Sequence, residues 1–225
     1  MDTRLPRWVW IGSALLAAVA GMVNVVGYIG FSRQAITHLT GTTSMLGASL
    51  ARADLPEILR TFGGIAAFVT GAMLSGLIIQ DSRLRLGRRY GVALAIESVL
   101  LLAAVPLFDH QSFGGPLLAA MACGLQNAMA TTYSGAAVRT SHLTGMYTDL
   151  GIGFGHALRG LPVPRTRLAI SAVVMLGFCC GGGLGALLFD RIGYHALFVP
   201  ALLTGLVGAG YTLYRHHHLP GRDAP

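Results

Sequence analysis

The sequence contains no lysine, and charged residues of every kind make up only 11% of its 225 residues. A water-soluble domain carries about 25% charged residues, so this composition excludes a soluble enzyme and a disordered chain. Three cysteines, two of them adjacent, do not form the disulfide framework of a small secreted domain. Apolar residues make up 53% of the chain and gather in long runs. Because a transmembrane helix needs about 20 such residues, we predict an all-α integral membrane protein.

The basic residues are sixteen arginines, which exceed the nine acidic residues and give a net charge of +7. Such a surplus can indicate a nucleic-acid-binding protein. Here the arginines gather between apolar runs and are not interleaved with aromatic side chains, so they indicate orientation in a membrane. The expected partners are the lipid bilayer and an unknown small solute or ion, with no nucleic acid; homo-oligomerisation stays open.

Eight apolar segments follow one another and leave little chain for any domain outside the membrane. They fall into two sets of four, which we treat as a first repeat over 8–108 and a second repeat over 113–214 of a single membrane domain, 1–225. The segments are 8–30, 35–51, 61–80, 90–108, 113–134, 141–158, 168–189 and 195–214.

The second set of segments repeats motifs of the first. The Gly-x-x-Asn pattern that begins at Gly21 begins again at Gly124, an offset of 103, and the tetrapeptide His-Leu-Thr-Gly of residues 38–41 recurs unchanged at 142–145. Chance does not readily account for a four-residue identity flanked by a matched Gly and Asn. The chain is therefore predicted to be an internal duplication.

The arginine positions predict how many segments cross the membrane, because cytoplasmic loops are enriched in arginine. If all eight segments crossed, the two sides would hold nine and seven arginines. If the two His-Leu-Thr-Gly segments enter and leave on the same side, the split becomes twelve to four. This predicts six full spans with both termini in the cytoplasm. Three spans per repeat make the second repeat inverted relative to the first. Eight spans, with 35–51 and 141–158 as short spans, is the open alternative.

Motifs in both halves resemble the YoaK family of bacterial multipass membrane proteins, whose domain has no known function. In the family pattern an Asp stands at the position of Asn24 and an Asn at that of Thr42, so a family role for a carboxylate in the first half does not carry over to this chain. The resemblance covers roughly residues 10–215, implies an inner-membrane location and supplies no substrate. The residues that carry it are Gly21, Asn24, Thr40, Gly41, Gly47, Gly124, Leu125, Gln126, Asn127, Arg139, Thr140, Thr144, Gly145, Asp149, Leu150 and Gly151.

One helical stripe in the second half carries the most polar residues. His142, Gly145, Asp149 and His156 recur at helical spacing and share one face. This pattern predicts the lining of a polar path in which Asp149 binds a cation or a proton and the histidines exchange protons near neutral pH. The open alternative is a solvated face on which Asp149 caps the helix or pairs with an arginine, either 139 or 159.

The first half carries the corresponding stripe without a carboxylate. It contains His38 and Thr42, and Met45 stands where Asp149 would be. The Thr-Gly pair of this half, Thr40 and Gly41, and its repeat, Thr144 with Gly145, can either break a helix to expose backbone groups or pack helices closely.

Three further polar residues lie inside apolar segments. Asn24 and Asn127 either hydrogen-bond a neighbouring helix or line a site. Glu97 either carries a proton or makes a structural hydrogen bond or arginine pair, and the eighth segment has Leu203 at the aligned position. A charged side chain at the membrane centre costs about 2.5–3.5 kcal/mol, so Glu97 is a candidate for function.

The leading interpretation is a transporter or channel of the bacterial inner membrane, with its site between the two His-Leu-Thr-Gly segments. A membrane-embedded enzyme that uses His142, Asp149 and His156 is the second hypothesis, and an assembly or sensory protein is the third. No Ser-His-Asp spacing, CxxC pair or HExxH motif stands out, so we expect no enzyme activity, no cofactor and no metal site.

Overall fold

The computed structural model describes residues 6–31, 36–79, 88–134 and 138–218. Within these ranges the regular structure is helical throughout, which confirms the all-α prediction for this part of the chain. One short 3-10 helix, Gly193–Leu197, joins the last two α-helices. The α-helices are α1 (Arg7–Gly30), α2 (Leu39–Ala51), α3 (Leu55–Ile78), α4 (Arg88–Asp109), α5 (Gly114–Tyr133), α6 (Leu143–Leu158), α7 (Arg165–Ile192) and α8 (Phe198–His218).

Each predicted segment corresponds to one α-helix, and the largest difference lies at the start of α3. This helix begins at Leu55, six residues before the predicted start, because Asp54 caps it: the carboxylate accepts a hydrogen bond of 3.3 Å from the N–H of Glu57. Pro56 in the first turn also favours a helix start. Two predicted boundaries lie outside the described residues: the start of the second segment at Ala35 and the end of the third segment at Gln80.

Four helical stretches of the described chain are long and apolar enough to cross a membrane: Arg7–Gly30, Leu55–Ile78, Arg89–Asp109 and Arg165–Leu213. The last of these contains both α7 and α8. By contrast, α2 and α6 have 13 and 16 residues, which at 1.5 Å per residue gives about 20 and 24 Å. Each is shorter than the hydrocarbon core of about 30 Å.

Two helix pairs of the bundle are closely packed. α1 packs along α7, where a Cβ atom at Gly21 would meet the carbonyl oxygen of Phe178 at less than 3.0 Å. α3 packs along α5, where a Cβ atom at Gly124 would meet the carbonyl oxygen of Phe68 in the same way. Glycine at these positions is what allows the backbones to approach.

The remaining helices pack on these pairs or on one another. α4 packs against α5 and α8, and a Cβ atom at Gly208 of α8 would lie 2.8 Å from the carbonyl oxygen of Gly91 of α4. The two short helices take equivalent places, since α2 packs on α3 and α6 packs on α7. Most of the outer surface of α2 and α6 is exposed.

Candidate functional site

Both His-Leu-Thr-Gly motifs start a short helix. His38 and His142 are the N-cap residues of α2 and α6, with φ and ψ of −90° and 64° in the first and −91° and 53° in the second. Each imidazole ring folds over the third helical residue, where a Cβ atom at Gly41 or Gly145 would meet the ring at less than 3.0 Å. Glycine at these positions leaves room for the ring, and a larger residue would make the ring move. The Thr-Gly pairs lie in the first helical turn and do not interrupt a helix.

Two asparagines hold the chain immediately before these helix starts. Asn24 on α1 accepts hydrogen bonds of 2.9 Å from both the N–H and the hydroxyl of Thr37. Asn127 on α5 accepts from the hydroxyl of Thr140 at 3.5 Å and from the N–H of Ser141 at 3.4 Å. The two side chains therefore tether equivalent segments, each to the helix that precedes it.

The two helix starts open into one cavity of about 470 Å³, which we call the polar cavity. α5 contributes one wall, and the residues that precede and begin α2 and α6 contribute the others. The lining residues are Thr37, His38, Leu39, Thr40, Phe68, Asn127, Ala128, Thr131, Thr132, Arg139, Ser141, His142, Leu143 and Thr144.

The lining of the polar cavity is positive and rich in hydrogen-bond donors. It contains no carboxylate, and the Arg139 side chain makes no ion pair within the described residues. The N-cap residues of α2 and α6, His38 and His142, make no side-chain capping hydrogen bond, so the N–H groups of the first turns are not capped by these side chains. Each helix start also carries about half a positive charge from the helix dipole.

The structure brings together some of the residues that the sequence singled out. His38, Thr40, His142, Thr144 and Asn127 line the polar cavity. Gly41 and Gly145 lie beneath the histidine rings, and Asn24 tethers the start of α2 without lining the cavity. The hydroxyl of Thr42 donates to the carbonyl oxygen of His38 at 3.1 Å, and this residue lines a smaller pocket on the other side of α2.

Asp149 and His156 do not line the polar cavity. Asp149 accepts two hydrogen bonds from Arg167 of α7, from Nε at 3.0 Å and from Nη2 at 2.9 Å. The ion-pair alternative considered Arg139 and Arg159 as partners, and the structure pairs Asp149 with Arg167 instead. His156 lies in the last turn of α6. Within the described residues no group of three His, Cys, Asp or Glu could hold a metal ion.

Glu97 is also separate from the polar cavity. Its side chain is 1% exposed on α4, and its Oε2 atom has no hydrogen-bond partner within the described residues. Sequence reasoning missed two relevant residues. Arg139 was treated as an orientation marker, a family-motif residue and a candidate partner of Asp149, and its place three residues before His142 was a signal that it could line the site. Gln126 was treated only as part of a motif, yet it is fully buried and donates from Nε2 to the carbonyl oxygen of Leu16 at 3.0 Å.

Comparison with known proteins identifies the family of this chain. A family model described as "Protein of unknown function (DUF1275)" matches residues 12–210. The UPF0700 transmembrane protein YoaK of Bacillus subtilis (strain 168) is 22% identical over 198 residues, which are 84% of this chain and 88% of that protein. The UPF0700 transmembrane protein RA0705 of Rhizobium meliloti (strain 1021) is 29% identical over 202 residues, which are 88% of this chain and 85% of that protein. No solved structure matches the chain significantly.

These relatives confirm the predicted resemblance to YoaK proteins and the membrane location. Both relatives are named as transmembrane proteins, and the long apolar helices of this chain agree with that description. The family match covers most of the chain, including both His-Leu-Thr-Gly motifs and the polar cavity. The chain is therefore a membrane protein that belongs to the DUF1275 family.

Proposed function

We propose that the protein is an inner-membrane transporter of a small anionic solute and that the polar cavity is its substrate site. The observation that carries this proposal is the meeting of two helix starts, one from each half of the chain, at a single cavity without a carboxylate. The N–H groups and the dipole of a helix start favour negative charge. Arg139 adds a full positive charge at the same place.

The donors around the cavity also favour an anion over a cation. Hydroxyl groups of Thr40 and Thr144, imidazole groups of His38 and His142, and the guanidinium of Arg139 can all donate hydrogen bonds to an oxyanion or halide. The positive ends of half-helices exclude cations in pores of similar construction. A cation at this site would have no carboxylate to balance its charge.

The repeated contacts of the two halves support an inverted-repeat transporter. Gly21 contacts Phe178, and Gly124 contacts Phe68. The same glycine–phenylalanine contact therefore occurs twice, with the two glycines 103 residues apart and the two phenylalanines 110 residues apart. The asparagine tethers and the histidine caps recur as well. In inverted-repeat transporters the site lies where interrupted helices meet, with helix starts directed at anionic groups. Under this proposal α2 and α6 re-enter from opposite faces and six helices cross the membrane.

The arginine distribution supports the orientation that we propose. Twelve of the sixteen arginines fall on the side of the two termini when α2 and α6 do not cross, which places both termini in the cytoplasm. The helical, multipass character supports a bacterial inner membrane, since bacterial outer-membrane proteins are typically built as β-barrels.

Flux measurements in sealed vesicles test the proposal. The purified protein is reconstituted, and entry of halides, nitrate, phosphate and small carboxylates is compared with entry of alkali cations. Anions are expected to enter and cations to be excluded. Arg139→Gln removes a charge-assisted hydrogen bond of about 1.5–3 kcal/mol, so anion flux should fall at least about tenfold.

Arg159→Gln is the matched control. Arg139 precedes α6 and Arg159 follows it, but Arg159 does not line the polar cavity. Its anion flux should stay within about twofold of the parent protein, because the substrate site that we propose does not include this charge. Cation entry without anion entry would refute the proposal, and so would equal anion flux in the two arginine variants.

A further inference from the structure

Glu97 is a wholly buried acid that is not part of the proposed substrate site. It lies near the middle of α4, and its Oε2 atom lacks a hydrogen-bond partner within the described residues. Gln126 on the packed helix α5 is equally buried, and its Oε1 atom also lacks a partner there. Ionising a carboxyl group in such a place is strongly unfavourable without water or a cation. Two unpartnered oxygens on neighbouring helices therefore need an explanation.

A second cavity, of about 220 Å³, lies between α1 and α8, and we call it the apolar crevice. Its walls come from α1, α4, α5 and α8, and Leu94 and Met129 are among its lining residues. Leu94 lies three residues before Glu97 on α4, and Met129 lies three residues after Gln126 on α5. Two lining residues of α8, Leu203 and Thr204, come from the helix that corresponds to α4 in the repeat. The crevice exists because α8 makes little contact with α1.

The corresponding pair of helices in the other half is closed. α4 packs extensively along α5, although repetition of the chain makes this pair the counterpart of α8 and α1. Burial fixes the correspondence: Leu94, Glu97 and Leu101 of α4 are buried, as are the residues 107 positions later on α8, including Thr204. Thr204, and not the Leu203 expected from sequence alignment, therefore occupies the place of Glu97. The wall of the open crevice in one half corresponds to the buried core in the other.

We propose that Glu97 is a proton-binding site that opens to the opposite face of the membrane when the two halves exchange their packing. In the exchanged state α8 closes against α1 and α4 moves away from α5, so that Glu97 lines the new crevice as Thr204 lines the present one. Water that enters the new crevice can deliver a proton to the carboxylate or remove one from the carboxylic acid. The closed packing seen here then holds the protonated acid away from water. This inference rests on the proposed transport function and couples anion movement to protons.

The surroundings of Glu97 contain few groups that could titrate instead. Cys123 of α5 is a titratable neighbour of Glu97. On α5 and α8, Tyr133 and Tyr211 line the crevice, and Tyr133 lies ten residues from Cys123, about 15 Å along the helix. The described parts of α3 from Thr61 onward carry no titratable side chain. At the far end of α4 the 3-10 helix contributes a tyrosine and a histidine, Tyr194 and His195, which lie near Phe108 and Asp109 and not near Glu97.

Transport by Glu97→Gln in vesicles gives the first test. This variant should lose anion accumulation driven by a proton gradient while it keeps exchange of labelled for unlabelled anion, because exchange needs no net proton movement. Asp109→Asn, which neutralises an exposed carboxylate on the same helix, should keep both activities. Gradient-driven accumulation that survives in Glu97→Gln would overturn the inference, and so would loss of exchange together with accumulation.

Thiol accessibility gives a second test that needs neither transport nor substitution of Glu97. In a background with the three native cysteines replaced, Val207→Cys lines the open crevice, and Leu100→Cys lies 107 residues earlier, at the corresponding place on α4. The two thiols should label from opposite faces. A bifunctional reagent that joins Leu15→Cys to Val207→Cys should increase labelling at position 100. Labelling from the same face, or decreased labelling after cross-linking, would overturn the inference. If these thiols behave as expected but no anion is transported, the proposal of an anionic substrate is refuted and the exchange of packing is not.

Discussion

Three glycines of α7 allow the close packing of α1 and α7 to be tested by a graded series of alanine variants. A Cβ atom at Gly183 would meet nothing within 4 Å, and one at Gly177 would lie 2.6 Å from the carbonyl oxygen of Ala14. A Cβ atom at Gly181 would come closer still to the carbonyl oxygen of Ala18. Because all three positions are in the interior of one helix, they share its intrinsic preference for alanine. Differences among the variants therefore report the contact with α1.

The expected magnitudes follow from these distances. Gly183→Ala should be neutral or stabilising, because alanine is preferred to glycine in a helix by about 1 kcal/mol. Gly177→Ala requires α1 and α7 to separate by about 0.8 Å, from 2.6 Å to an ordinary contact of 3.4 Å. Overpacking of this kind costs about 1–3 kcal/mol, so the net loss is about 0–2 kcal/mol after the helix preference. Gly181→Ala should lose more, because both positions face backbone atoms that cannot rotate away and the Cβ atom at position 181 would come closer to them.

Thermal unfolding in detergent, followed by the fraction of protein that stays monodisperse, measures the series. A chain of this size changes its Tm by about 2–4 °C per kcal/mol. The Tm of Gly183→Ala should equal or exceed that of the parent protein, Gly177→Ala should be slightly lower, and Gly181→Ala should be lower by about 6 °C or more. Equal Tm values for Gly181→Ala and Gly183→Ala would refute the close approach of α1 and α7.

Two other predictions concern the ion pair on α6 and the topology. Asp149→Asn should lower the free energy of unfolding by less than about 1 kcal/mol, because the side chain of Arg167 is 67% exposed and water can solvate it. A double-mutant cycle with Arg167→Gln measures the coupling energy of the pair. Loss of the proton dependence of transport in Asp149→Asn would instead show that this carboxylate belongs to the transport site. Single cysteines that replace Gly87 and Gln111 should label from opposite faces of intact cells under the six-span topology, and labelling of both from outside alone would refute it.

The local pattern of the sequence predicted the helices and their polar motifs. Runs of apolar residues placed all eight helices, because helix formation in a membrane depends on local hydrogen bonds and side-chain polarity. The repeated His-Leu-Thr-Gly tetrapeptide marked the two short helices, although its reason was not visible: the ring of His38 needs space over Gly41. The start of α3 was not predicted because the residues around Asp54 are polar, and low hydropathy does not distinguish a helix cap from a loop.

The relation between residues far apart in the chain was less accessible to sequence reasoning. Asp149 pairs with Arg167, which lies on the next helix and not on the flanking loops that were considered. The pairing depends on how α6 folds back on α7, and helix spacing alone does not specify that angle. The difference between Leu203 and Thr204 has a similar origin, because the sequence does not show which of these two neighbouring residues of α8 is buried.

By itself the sequence determined that this chain is a helical membrane protein with a repeated motif, since composition and short-range periodicity suffice for both. The tertiary structure alone decided that the two motifs share one cavity and that Asp149 lies outside it. It also decided that Glu97 is buried behind a closed helix pair while the equivalent pair is open. The shared cavity and the burial of Glu97 depend on contacts between the two halves, and the position of Asp149 depends on the packing of α6 on α7 within the second half. Two nearly identical motifs do not reveal whether their packing is the same.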